Sequence, residues 1–108
     1  MMTIVTHVTL REGDEPEWDA TMRDRLAAAC DRRGWIGAQL LIPLDAPNQR
    51  TIVGTWETRA AWEAWHNDPD FTATRAQLAG LEAAPSQHQW YEVIEDLHRP
   101  GAALDAAA

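Results

Sequence analysis

The sequence predicts a single α+β domain of the ferredoxin-like type, and three observations carry that prediction. Within 108 residues the patterns run strand, helix, strand, strand, interrupted helix, strand, which is the βαββαβ order. That length suffices for one domain with a thin core. Finally, the first strand is apolar on both faces, with Ile4, Val8 and Leu10 on one and Val5 on the other. Helices on one face of a four-stranded sheet leave the second apolar face bare, so a homodimer through the sheets is expected.

Each element has a local cause. Thr3 to Leu10 is rich in β-branched residues and alternates, which suits a strand. Arg11 to Asp14 turns the chain, and Asp14-Glu15-Pro16 opens a helix. Trp18, Met22, Leu26, Ala29 and Cys30 share one stripe of that helix, with Asp and Arg residues as its solvated face. Cys30 is expected there as a small buried thiol, and Gly34 as the helix's closing glycine. Trp35 to Ile42 and Thr51 to Trp56 form a long hairpin around the loop from Pro43 to Gln49. Thr58 caps a short helix carrying Trp62, Trp65 and His66, and Asp68-Pro69 restarts it with Phe71, Arg75, Leu78 and Glu82 in step. Gln87 to Glu95 is the last strand. The domain spans residues 1–97, and residues 98–108 are expected to form a flexible tail.

Composition removes several function classes. Seventeen acidic residues face nine basic ones, all Arg, for a net charge of −8; no basic stripe exists to hold a phosphate backbone, so nucleic acid is not an expected partner. No apolar run approaches membrane-spanning length and no signal pattern opens the chain, so the protein reads as cytoplasmic, with no membrane partner. His7, His66, His88 and His98 lie on different elements without ligand spacing, and no glycine-rich phosphate loop is present. No metal or cofactor is expected.

Six Trp residues are an unusual endowment. Trp56, Trp62 and Trp65 crowd one strand end and the following helix, where they either fill core or wall a flat pocket for an aromatic ligand. Arg75 falls on the stripe of Phe71 and Leu78, so its guanidinium either snorkels to water or reaches into a pocket to hold a phenolate or enolate.

The strand Gly34-Trp35-Ile36-Gly37-Ala38-Gln39-Leu40, the junction Trp56-Glu57-Thr58-Arg59-Ala60-Ala61-Trp62 and the turn Trp65-His66-Asn67-Asp68-Pro69-Asp70-Phe71 together resemble the antibiotic biosynthesis monooxygenase family of dimeric α+β barrels. The resemblance runs from about Thr3 to Leu97. It implies a barrel made by two chains and a pocket in each between sheet and helices. One branch of the family oxidises anthrones with O₂ and no cofactor. Its pocket Trp corresponds to Trp56, an aromatic to Trp62 and an Arg to Arg75, while its pocket Asn falls on Ile52 and its pocket His on Leu41. A haem-degrading branch shares the Trp at Trp65, but its haem-ligating His falls at Thr74 or Arg75 and its Asn at Thr6. Neither Thr nor Arg is a usual axial ligand, so haem degradation is the less favoured implication.

The resemblance thus implies a cofactor-independent monooxygenase acting on a polycyclic phenol or anthrone. Trp56, Trp62, Trp65 and Phe71 would form the slot, together with Thr6, Ile52 and Leu41; Arg75 would hold the anion, and His66 or His88 would be the base. Strand alternation turns His7 away from the side of Thr6, toward the barrel interior. The alternatives are a non-catalytic protein that binds and shields an aromatic intermediate, and a cyclase that uses the same slot.

Overall fold

The computed structural model describes residues 1–101. Its elements are β1 (Met2–Thr9), α1 (Glu15–Ala29), β2 (Trp35–Leu41), β3 (Gln49–Trp56), α2 (Arg59–His66), α3 (Pro69–Thr72), α4 (Arg75–Gly80) and β4 (Gln87–Glu92). The strands form one sheet in the order β2-β3-β1-β4, with every neighbouring pair antiparallel. This is the ferredoxin-like α+β fold. No helix among the described residues is long and apolar enough to cross a membrane.

Period-two alternation decides which side chains meet the helices. Ile4, Thr6 and Val8 of β1 stand opposite Gly54, Ile52 and Arg50 of β3, and all face the helix layer. One cluster there joins Val8 and Leu10 to Trp18, Met22 and Leu78; a second joins Trp56 to Ala29, Trp65 and Phe71. The other face carries Thr3, Val5 and His7 against Thr55, Val53 and Thr51, and no helix among the described residues covers it; Val93, Asp96 and His98 of the C-terminal segment border one side of it. His7 is exposed there, its Nδ1 3.3 Å from the Thr51 hydroxyl.

Several local expectations need correction. Cys30 is exposed, because it lies one residue past Ala29 and the helix turns it off the buried stripe; its Sγ–H points at the Leu26 carbonyl. The expected helix from Asp68 breaks into α3 and α4, where the Thr74 hydroxyl donates to the Phe71 carbonyl at 3.1 Å and competes with the helical ladder. β4 ends at Glu92 rather than Glu95, since Val93 bonds to the Met1 carbonyl and β1 offers no further partner. The expected tail lies mostly at residues 102–108, outside the described residues.

Gly34 is not the closing residue of α1, which ends at Ala29, but the hinge into β2. Its φ is +83°, and a Cβ added there would stand 2.5 Å from the Ala61 Cβ. Left-handed backbone and close approach of α2 both demand glycine. Gly34→Ala should therefore cost about 2–4 kcal/mol, combining a left-handed penalty with overpacking. Urea unfolding of the two proteins measures it, and a loss below about 1 kcal/mol would contradict this account of the hinge.

Candidate functional site

Two short helices bring the candidate residues together. The Thr58 hydroxyl accepts from the Ala61 N–H and starts α2, and the Asp68 carboxylate accepts from the Asp70 N–H and starts α3. Arg32, after α1, bonds to Asp68 and Asp70 and lies over the Trp65 ring, tying the α2–α3 turn to the helix layer. Trp65 and Trp56 are buried.

Between this layer and the sheet lies a slot of about 80 Å³ whose walls include Trp35, Trp56, Trp62 and Trp65. Thr6, His66 and His88 give its lining polar side chains, and Ile4, Ile52 and Leu26 add apolar ones. Trp56, Trp62, Trp65, His66, Thr6 and Ile52 are therefore brought together at one cavity. Phe71 stands just behind, its ring centroid 4.0 Å from that of His66.

Leu41 and Arg75 do not join them. Leu41 pairs with Thr51 and is exposed on the opposite face of the sheet, because Leu40 takes the helix-facing position across from Ile52. Arg75 is exposed at the start of α4 and does not line the slot; its Nη2 donates to the His66 carbonyl at 3.2 Å. Arg25, expected on the solvated face of α1, is instead half-buried against Phe71. It donates to the Thr74 hydroxyl and the Phe71 carbonyl, and its Cζ lies 3.8 Å from the Phe71 ring centroid. Its spacing gives the missed signal: Arg25 is three residues past Met22 and four before Ala29, on the buried stripe itself.

His66 is the chemical centre of the slot. Its ring lies between Trp62 and Phe71, 3.5 and 4.0 Å away centroid to centroid, and is tilted against both. Nδ1 is 3.0 Å from the Trp62 carbonyl oxygen, which can only accept, so Nδ1 carries the ring proton. In the neutral ring Nε2 is then an acceptor, and it has no protein partner among the described residues. Burial, reinforced by the charges of Arg25 and Arg75 and opposed by the Trp62 carbonyl, pushes the His66 pKa down to about 4. His88, paired across strands with Thr6, keeps its Nδ1 3.0 Å from the Thr6 hydroxyl.

Fold and slot together define a small α+β domain with an aromatic-walled cavity between sheet and helices. The antibiotic biosynthesis monooxygenase model matches residues 1–77, and the chain belongs to that family. It is 27% identical over 97 residues to a mycobilin-producing heme oxygenase of Mycobacterium tuberculosis, covering 90% of this chain and 92% of that one. A putative antibiotic biosynthesis monooxygenase from Nitrosomonas europaea superposes with a TM-score of 0.83 at 15% identity, over 88% of this chain and 100% of its own. SnoaB, a cofactor-independent oxygenase from Streptomyces nogalater, gives 0.79 at 20% identity, over 91% and 97%. At such identities the two structures speak for the fold.

The His66 environment predicts a pH dependence of stability. An unfolded imidazole takes its proton near 6.5, whereas the folded one resists until about 4. The unfolded state therefore binds more protons between those values, and stability falls as pH drops through that window. His66→Phe keeps a stacking ring and removes the proton site, so its Tm should fall less between pH 7 and pH 5 than that of the parent chain. Parallel melting curves would contradict the buried neutral imidazole.

Proposed function

We propose that the chain is a cofactor-independent monooxygenase that uses O₂ to oxidise a polycyclic phenolic or anthrone-like molecule. The observation that carries this reading is the neutral His66 in an aromatic slot, with Nδ1–H anchored on Trp62 and Nε2 open as an acceptor. Nε2 takes the acidic proton of the substrate. A pKa near 4 makes a free imidazole a weak base, but an oxyanion formed beside it in a dry cavity stabilises the imidazolium and drives the transfer. The electron-rich anion passes one electron to O₂; the substrate radical and superoxide then join in a C–O bond. The imidazolium returns its proton to the peroxide, which loses water and leaves a carbonyl in place of the substrate CH₂. O₂ is the oxidant, and its second oxygen leaves as water.

The free slot is far smaller than the roughly 300–1,000 Å³ of ordinary ligand pockets, so the substrate-bound slot must be wider. The homodimer is part of the same proposal. Its support is the uncovered sheet face, with Val5 and Val53 flanked by exposed Ile36 and Leu41, and the outward Ile94 and Leu97 of the C-terminal segment. Sedimentation at micromolar concentration should report about twice 12.1 kDa, and a clean monomer would remove this part of the proposal.

The 27% identical heme oxygenase makes haem a second substrate to consider. Thr74 and Arg75, the positions implied for the axial ligand, argue against it. The Thr74 hydroxyl is engaged by Arg25 and Phe71, and the Arg75 guanidinium is permanently protonated. Aerobic incubation with anthrone should yield the quinone and consume O₂, with no product above the uncatalysed rate under argon. His66→Gln should lower kcat by about 10²-fold or more, as loss of a general base does. Unaltered turnover in His66→Gln would overturn its role, and O₂-independent conversion would favour the cyclase. If haem with a reductant is degraded while anthrone is not, the haem reading takes its place.

A further inference from the structure

We propose that Trp35 is the movable wall of the slot and sets the size of molecule the slot accepts. A ligand of several fused aromatic rings displaces its indole past the edge of β2, into a groove on the far face of the sheet. This rests on the reading of the slot as the site of an aromatic ring. It adds the means by which a cavity of about 80 Å³ takes in a polycycle.

The slot and the groove meet at one strand. The groove, of about 510 Å³, lies on the sheet face turned away from the helices, over Thr3, Val53 and Thr55. Trp35 and Ala38 line both cavities. Paired strands lie too close to leave a passage through the body of a sheet. β2 is the outermost strand, so the way from one space to the other runs around its edge.

The four Trp walls are held unequally. Trp56 and Trp65 are buried, and Trp65 also meets the Phe71 ring and the Arg32 guanidinium. Trp62 has the rings of His66 and Trp90 against it. Trp35 is only partly buried, and among the described residues no ring or cation stacks on it. The backbone around it is irregular as well. The left-handed Gly34 precedes it, and the pairing with β3 shifts register between Trp35 and Gly37, the kind of irregularity that re-aims a side chain.

Gly37 supplies the receiving space. It stands across from Thr55 and lines the groove, not the slot. Its backbone is not left-handed, and a Cβ added there would meet nothing within 4 Å. Neither conformation nor packing within this chain therefore demands glycine at that position. A strand glycine of this kind marks a place kept clear for an approaching group, and the indole two residues away is the group at hand.

The test compares resorcinol, a single ring, with dihydroxyanthraquinone, a fused tricycle. Calorimetric titrations use the parent chain, Gly37→Leu, Trp35→Ala and the double variant, each shown to be folded by circular dichroism. Gly37→Leu should weaken dihydroxyanthraquinone binding by about tenfold or more, as overpacking of the displaced indole would, and leave resorcinol within about twofold. Trp35→Ala should favour dihydroxyanthraquinone over resorcinol by about a further tenfold, because no aromatic contact has to be given up. In the Trp35→Ala background Gly37→Leu should then have no effect, a coupling that the double-mutant cycle reads directly. If Gly37→Leu acts equally with and without Trp35, the groove holds the ligand or a second copy rather than the indole, and the movable wall is overturned while the slot stands. Dihydroxyanthraquinone binding untouched by Gly37→Leu in the parent chain overturns it in the same way. Gly37→Leu keeps the test decisive if Trp35→Ala does not fold. Failure of both compounds to bind the parent chain would remove the reading of the slot together with its wall.

Discussion

One column of stacked groups organises this molecule. Arg25 of α1 lies over Phe71 of α3, Phe71 packs at a tilt against His66 at the end of α2, His66 likewise against Trp62, and Trp62 meets the Trp90 ring of β4 edge to face. Arg59 closes the far end over Trp90. Arg25 and His66 both lie within about 4 Å of the Phe71 centroid, so sterically they must occupy its opposite faces. The column thus ties three helices to an edge strand, and no neighbouring pair in it depends on a long loop. Aromatic and cation–π contacts contribute only about 0.5–1.5 kcal/mol each. Their shared consequence is that the imidazole in the middle has little water around it. Its neutrality, its tautomer and the narrowness of the slot all follow from that position.

The arginines divide into two populations by what balances them. Arg50, buried on the helix side of β3, places its Nε and Nη2 on the two oxygens of Asp19 and its Nη1 on the carbonyls of Pro47 and Gln49. Such a pair is costly to break, because removing one partner strands a buried charge. It fixes α1 on the sheet. Arg32 does comparable work at the other end of α1 through Asp68 and Asp70. Arg25 and Arg75 instead meet the Phe71 ring, backbone carbonyls and, for Arg25, the Thr74 hydroxyl, with no carboxylate within 4 Å among the described residues.

The fold was legible because each element carries its own signal. Strand alternation, the Thr58 and Asp68 caps and the stripe of Trp18 and Met22 all act over a few residues. The slot was legible in part, since Trp56, Trp62, Trp65 and His66 lie on a contiguous stretch whose geometry α2 sets. What escaped the sequence depends on facts that no local pattern contains. Arg25 sits on an apolar stripe, but only the position of Phe71 across the helix layer explains why a cation is tolerated there. The family correspondence puts Leu41 in the slot, but Leu40 stands across from Ile52, and in a strand one residue exchanges the two faces. Arg75 shares the stripe of Phe71 only if the helix is continuous, and the break at Thr74 removes that premise.

The slot also shows how a scaffold can keep its shape while its polar groups move. The sheet contributes Ile4, Ile52 and the Cβ-less Gly54 to the lining, leaving Thr6 and His88 as its polar side chains. The buried nitrogen comes from the end of α2, which the Trp62 carbonyl orients from one turn earlier. An imidazole on a helix end is positioned by packing against rings rather than by a network from the strands. The Trp residues that wall the slot are the same ones that hold α2 on the sheet. The fold therefore builds an aromatic-walled cavity from its Trp residues, and a single residue at a helix end supplies its imidazole.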